Sequence, residues 1–310
     1  MIKTFIKKIL EKRNEKTKYK TKYVVEGHGN DEKYLLFVLA GYKDFLWDDV
    51  FKRIKDYQLK NMDVCIASSG VYNSRLSDIC KRNNWVYLST KLNNVCVITN
   101  VIMRLFDKAE YIFKLDEDIY IPNGYFEDML TTYRQIEDNE PVKIGYLCPM
   151  LPLGFYGMHK FLIDNNCLTE YEEKFGKHFI GGSTVNRSFR KGDGVDEFIW
   201  EKIGCFDKKA LEYKNKGEDY EACFSRSGIA AVLFKRDFWT EMGGLKRGRG
   251  IGVGNAGDEG QITAYCYLNY KVCFCANNIL VGHFSFGGSE QNVLAFKEKH
   301  PFIFNQIEEH

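Results

Sequence analysis

No apolar run in this 310-residue chain approaches the roughly 20 residues needed to cross a bilayer, and the longest, such as Ile229 to Phe234, falls far short. A transmembrane helix is therefore not expected. The ten cysteines include no CxxC pair and follow no secretory signal, so a reduced, cytoplasmic location is expected. Several of them sit inside apolar runs, Cys65 in DVCIAS and Cys273 in KVCFC among them, where a thiol serves as a small hydrophobe. No internal repeat or low-complexity tract is present. Nor is there a recognisable nucleic-acid motif, which argues against RNA or DNA as a partner.

With 45% apolar and 15% aromatic residues, the chain can bury a full core, as one large domain or two intimately joined halves. Its net charge of +2 conceals an asymmetry. Residues 1 to 22 carry nine Lys and Arg against Glu11 and Glu15, an excess of seven that leaves the remainder at minus five. Ile2, Phe5, Ile6, Ile9 and Leu10 follow one helical face, with Lys3, Lys7, Lys8 and Lys12 mostly elsewhere around it. Two readings stand open for this tail: a helix on an anionic membrane surface, or a helix docked on its own domain or a partner chain, followed by a solvated linker.

From residue 34 onward, short apolar runs alternate with segments of helical period, the pattern of a parallel sheet with covering helices. YLLFVLAG (34 to 41), DVCIASSG (63 to 70), WVYLS (85 to 89) and YIFKLDEDIYI (111 to 121) read as the strands. The stripes Trp47, Val50, Phe51, Ile54 and Ile98, Val101, Ile102, Leu105, Phe106 read as helices between them, with a third through Leu76, Ile79 and Cys80. Residues 155 to 228 show no sustained period and read as an elaborated substrate region. Beyond them, GIAAVLFKRDFWTEMGG predicts a strand running into a helix, a further helix starts at about Gln261, and KVCFCA and NILVGHFSF predict a pair of strands.

The chemistry concentrates at 116 to 118. Asp116 and Asp118 stand two apart at the end of a strand-like run, so on an extended backbone both carboxylates face one side and can share a divalent cation. Acidic residues two apart are also common on solvated surfaces, but the flanking Tyr111 to Leu115 and Ile119 to Ile121 are strand-forming bulk. Lys114 lies on the same face, placed either to contact a phosphate or to pair with the carboxylates. In an open α/β sheet, ligands bind beyond the carboxyl ends of the strands, which selects three loops: Ala40, Gly41 and Tyr42; Ser68, Ser69 and Gly70; and Asp116 to Asp118.

Over about residues 33 to 290 the order of parts resembles the GT-A glycosyltransferases, in particular the family 2-like enzymes. The resemblance rests on the βαβαβαβ opening, the DxD-type triplet Asp116-Glu117-Asp118, the acidic pair Asp258-Glu259 opening a late helix, and His283 in a terminal VGHFSF strand. It implies an α/β GT-A fold, Rossmann-like, with a mostly parallel central sheet flanked by helices and an elaborated acceptor-binding half. Residues 1–30 are then a basic amphipathic helix and linker. Residues 31–150 form the nucleotide-sugar-binding half, and 151–310 the acceptor-binding and catalytic half of the same domain. Asp116, Asp118 and His283 are implied as ligands of Mn²⁺ or Mg²⁺, although a satisfied core histidine is an equal reading of His283. Asp258 or Glu259 is implied as the general base for the acceptor hydroxyl. The family usually reads Glu-Asp with the Asp as base, whereas this chain reads Asp-Glu, and the choice leans to Asp258; ordinary helix N-terminal chemistry is the competing reading of the pair. Ala40, Gly41, Tyr42, Ser68, Ser69, Lys114 and Asp116 are candidate donor contacts, with Arg247 and Arg249 available for phosphate or simply solvated.

The activity so implied is sugar transfer from a nucleotide-sugar donor, a UDP-sugar by resemblance, to a hydroxyl of a glycan or lipid-linked acceptor, with inversion. Polysaccharide biosynthesis at the inner face of a membrane would suit the basic tail. Ser68 and Ser69 stand where many family members carry acidic residues, which leaves the base open. The alternatives are a retaining GT-A enzyme, a sugar nucleotidyltransferase, against which AGYKDF after the first strand argues, and a non-catalytic membrane-surface module. Gly252, Gly254 and Gly257 match GxGxxG, but LKRGRG before them is not a strand, and a loop closing over the donor accounts better for the glycines.

Overall fold

A computed structural model describes residues 17–181, 193–217, 219–223, 228–247, 257–285 and 289–307. The amphipathic pattern of 2 to 10, Arg249 and most of the glycine-rich loop lie outside these residues. The protein is a mixed α/β structure of two compact units interleaved along the chain. The first comprises Met1–Asp44, Lys60–Glu117 and Phe234–Lys271; the second comprises Phe45–Leu59, Asp118–Leu233 and Val272–His310.

The first unit holds the strands β1 (Tyr23–Glu26), β2 (Tyr34–Leu39), β3 (Met62–Ser69), β4 (Val86–Thr90) and β5 (Tyr111–Asp116), in the spatial order β1-β4-β3-β2-β5. β2, β3, β4 and β5 pair in parallel, with Leu39 beside Ala67 on one side and beside Asp116 on the other. Every residue of β3 and β4 is buried, as continuous runs of Val, Ile, Leu, Cys and small polar residues require of strands covered on both faces. Two covering helices, Ser74–Asn83 and Val95–Leu105, begin at asparagines whose side chains accept the amide protons of Leu76 and Val97. The chain builds β2, β3 and β4 outward in one direction and then places β5 on the opposite side of β2, so strand order reverses between β2 and β5.

β1 lies within residues read as linker. It pairs antiparallel with β4 and blunts that sheet edge with exposed Tyr23, Val24 and Val25.

The second unit holds β6 (Ile119–Tyr120), β7 (Lys143–Met150), β8 (Tyr220–Ala222), β9 (Ala231–Lys235), of which the last two residues count with the first unit, β10 (Lys271–Leu280), of which the first residue does so too, and β11 (Gly282–His283). Its pairings β7/β9, β8/β10 and β6/β11 are all antiparallel. One expectation is corrected here. KVCFCA and NIL form one continuous strand, β10, through Asn277 and Asn278. The region 155 to 228 contains the helices Phe155–Asp164, Leu168–Phe175, Val195–Ile203 and Phe206–Lys214, each too short to display a repeated stripe. All ten cysteines are free, and Cys205, Cys223 and Cys273 alone are half-buried, in keeping with thiols used for packing. No helix among the described residues is long and apolar enough to cross a membrane.

Candidate functional site

In the first unit, the reversal of strand order brings the loops after β2 and β5 side by side. Glu117, the middle residue of the acidic triplet, joins them. Its carboxylate is buried and accepts the backbone N–H groups of Gly41 at 2.9 Å and Tyr42 at 3.0 Å. Gly41 has φ of +143°, and a Cβ there would lie 3.3 Å from that of Ser68, so this tight turn needs glycine. Tyr42 is held at its other end as well: its hydroxyl donates to the Ser69 carbonyl at 2.7 Å, while 62% of the residue stays exposed. The result is a fixed aromatic ring facing solvent beyond the carboxyl ends of β2 and β3.

The serines face the protein. Ser68 is fully buried, its hydroxyl donating to the Val71 carbonyl and sharing a hydrogen bond with the Tyr87 hydroxyl. Ser69 donates to the Leu92 carbonyl and accepts from the Asn94 N–H. Lys114 is buried and its Nζ lies 2.6 Å from Asp116 Oδ1, which realises the pairing expectation for this lysine. Ala40 is buried at the end of β2.

The late acidic pair opens the helix Asp258–Leu268 as the sequence implies, three residues ahead of the predicted start at Gln261. Gly257 occupies the N-cap without a side-chain cap, so Asp258 is not the cap; Asp258 and Glu259 lie half-buried in the first turn. Arg247 is exposed. The segment leading to it is pinned by Asn100 and Gln261, neither of them a predicted site residue. Asn100 bonds both backbone groups of Leu245, and Gln261 bonds both backbone groups of Lys246. An amide side chain facing an edge of backbone can satisfy a donor and an acceptor together, but sequence gives no sign of which loop it will meet.

In the second unit, Asp118 and His283 come together. β5 ends at Asp116, and Glu117 and Asp118 form a turn before β6, so the strand alternation invoked to align Asp116 with Asp118 does not apply. Asp118 is instead held by β11: Gly282 pairs with Tyr120, His283 with Ile119, and the Phe284 N–H donates to the Asp118 carbonyl at 2.9 Å. The Asp118 residue is 4% exposed, and its Oδ2 lies 3.3 Å from His283 Nε2. His283 Nδ1 lies 3.2 Å from the Leu153 carbonyl.

That carbonyl accepts only, which places a proton on Nδ1. Nε2 then faces a carboxylate oxygen, as a donor when the ring is protonated or, when it is neutral, with a lone pair that a shared cation can use. Two adjacent ligands of one cation, each at about 2.1 Å, stand about 3 Å apart, so the pair fits a divalent metal as two of its ligands. Among the described residues, no group of three or more His, Cys, Asp or Glu side chains converges to hold a metal. A cavity of about 250 Å³ in the same unit, lined by Asp128, Asp207, Leu211, Lys214, Ile279 and Leu280 among others, contains none of the predicted site residues.

No family model matches the sequence, and no curated protein matches it. Among solved structures, the mannosyltransferase PcManGT from Pyrobaculum calidifontis in complex with GDP-Man and Mn2+ is similar over 87% of this chain and 64% of its own, at 12% identity and a TM-score of 0.43. S. aureus TarS is similar over 38% of this chain and 21% of its own, at 11% identity and a TM-score of 0.32. TarS 1-349 in complex with UDP-GlcNAc is similar over 38% of this chain and 34% of its own, at 13% identity and a TM-score of 0.32. The chain thus spans less than two thirds of the length of these proteins. With TM-scores below 0.5, function rests on this chain's own residues.

Proposed function

We propose that the protein is a metal-dependent glycosyltransferase of the GT-A type, moving a sugar from a nucleotide-sugar donor, a UDP-sugar, to a hydroxyl of a glycan or lipid-linked acceptor with inversion. The observation that carries this reading is the buried Asp118 carboxylate set 3.3 Å from a histidine nitrogen whose partner nitrogen faces a carbonyl. Residues 31–150 serve the donor and 151–310 the acceptor and catalysis. Tyr42 offers a fixed ring on which a nucleobase stacks, with the backbone around Ala40, Gly41, Ser68 and Ser69 bounding the nucleoside. Asp118 and His283 are the direct ligands for Mn²⁺ or Mg²⁺, and Asp116, charge-paired with Lys114, meets the ribose or a metal-bound water. Mn²⁺ suits the imidazole better than Mg²⁺ does. When bound, the cation supplies positive charge against the diphosphate that departs.

The chain's own residues do the rest. Asp258 takes the proton of the acceptor hydroxyl as it attacks the anomeric carbon, with Glu259 as the rival for this role. Arg247 and Arg249 add positive charge for the phosphates. The basic residues 1 to 22 attract an anionic membrane surface, which would place the enzyme peripherally at the inner, cytoplasmic face.

Calorimetric titration of UDP, GDP and CDP with and without Mn²⁺, on the wild type and Asp118→Asn, tests the reading. Metal-dependent binding of one nucleotide, lost in the variant, is expected. If the folded wild type binds none of the three with Mn²⁺ present, the donor site does not exist and the proposal fails.

A further inference from the structure

We infer that Trp200 is a positioning residue for His283: from the helix Val195–Ile203 it fixes the register of the two-residue strand β11, so that the imidazole faces Asp118. The inference rests on the reading of Asp118 and His283 as a metal pair. A strand pair as short as β6/β11 has little hold on its own register, and a slip of one residue turns every side chain to the opposite face. For His283 that slip would exchange Asp118 for the other side of the strand. Beyond the ladder, the Val281 N–H donates to the Met150 carbonyl at 3.0 Å and anchors the entry to β11, and Trp200 acts on the strand itself.

Trp200 grips β11 on both sides of the histidine. Its side chain is wholly buried, and its Nε1–H donates to the carbonyl of Phe284 at 2.9 Å. On the other side, a Cβ built on Gly282 would stand 2.5 Å from Trp200 Cη2 and 3.3 Å from Cζ2. Only glycine fits against that edge of the indole. Shifting β11 by one residue would bring the Cβ of Val281 or of His283 itself to the same place, so the contact excludes both slipped registers. The indole is itself fixed, meeting Tyr120, the cross-strand partner of Gly282, edge to face at 5.8 Å and lying 4.4 Å from the Phe304 ring. In the first turn of the same helix, the buried Asp196 carboxylate accepts a hydrogen bond from the Ser289 hydroxyl. One helix therefore holds the segment on either side of His283 and again at Ser289. It also belongs to the region assigned to the acceptor, which ties the histidine's placement to that region.

The test is Mn²⁺ affinity, read by the electron paramagnetic resonance of free Mn²⁺, for Trp200→Phe and Gly282→Ala, each in the wild-type and His283→Ala backgrounds. Thermal unfolding of each protein checks that it is folded. Trp200→Phe keeps a ring and removes the N–H; Gly282→Ala keeps the indole and drives a methyl into it. A roughly tenfold weaker affinity for either folded variant in the wild-type background, with no further loss once His283 is gone, is expected. An equal loss in both backgrounds, or no loss in either, overturns the inference. If the wild type binds no Mn²⁺, the metal reading fails by itself. Positioning is then decided by long-range ¹H–¹⁵N NMR of the His283 ring, where signals unchanged by both substitutions overturn it and altered signals uphold it.

Discussion

In the first unit, the candidate ligand loops are held largely by polar side chains that bond backbone groups. Glu117 takes two amide protons of the loop after β2, and Asn100 and Gln261 each bond both backbone groups of one residue before Arg247. In the second unit, the corresponding work falls to charged and aromatic side chains. Arg53 lies 1% exposed within the core. It bonds Asp207 and the carbonyls of Ile121 and Phe304, with its guanidinium over the rings of Tyr120 and Phe206. Parallel strands fix their loops at one end of the sheet by topology alone, so small hydrogen-bonding residues suffice there. Short antiparallel pairs fix nothing by topology, and bulky side chains must set register and direction. Substitutions at Tyr42 and Asp258 in the first unit should therefore act on ligands, and those at Arg53 and His178 in the second on folding.

The largest effect expected is on turnover. Asp258→Ala should lower kcat by about 10² to 10⁴ with little change in melting temperature, and Glu259→Ala by less. Steady-state rates with the nucleotide sugar found by calorimetry check this, and the reverse order would exchange the two roles.

Arg53→Ala should destabilise the protein by about 3–5 kcal/mol, because it removes a buried guanidinium that pairs with the half-buried Asp207 carboxylate and leaves the carbonyls of Ile121 and Phe304 without this donor. Urea unfolding measures it. A loss below about 1 kcal/mol would mean that the second unit does not depend on its buried charges.

A pH effect comes next. Burial, and behind it the neighbouring His159 ring, lowers the His178 pKa to about 4. Both ring nitrogens of His178 are buried without a hydrogen-bond partner. The unfolded chain, with an ordinary pKa near 6.5, takes up the proton first as pH falls. Stability from the neutral ring is thus complete above about pH 6.5 and lost as pH falls toward 4, by about 3 kcal/mol in all. His178→Leu should remove that part of the acid sensitivity in melting curves between pH 7 and 4, and an unchanged slope would assign it elsewhere.

The smallest effect expected is at Tyr42. Tyr42→Ala should weaken nucleotide binding by roughly tenfold, in line with about 1–3 kcal/mol per stacked base, and leave stability nearly unchanged. A large fall in stability instead would make the ring a structural strut and blur the contrast between the units.

The same contrast explains what sequence could reveal. The first unit was legible because its strands are buried on both faces and its helices carry full stripes, so Trp47 to Ile54 and Ile98 to Phe106 stood out even though the former helix belongs to the second unit. β1 was missed because YVVE after a lysine-rich stretch carries no alternation long enough to mark an edge strand. In the second unit, helices of eight to ten residues buried on several sides defeat a periodicity search, and Trp200, Arg53 and His178 acquire meaning only from partners 19 to 251 positions away. At the site, the acidic triplet and His283 were legible as residue types. That Glu117 would turn inward while Asp118 met His283 depended on the turn after Asp116, which the unbroken YIFKLDEDIYI pattern concealed.

Arg236 carries a consequence for how the protein is made. Its guanidinium closes the end of the helix Val95–Leu105 by donating to the carbonyls of Met103, Phe106 and Ala109, and its own N–H donates to Glu110 just ahead of β5. A ribosome reaches this residue only after adding residues 118 to 233, which at about 5–20 residues per second takes on the order of 10 s. Until then this helix end lacks the donors that close it in the finished protein, so the first unit cannot complete its native contacts before most of the other unit has been synthesised.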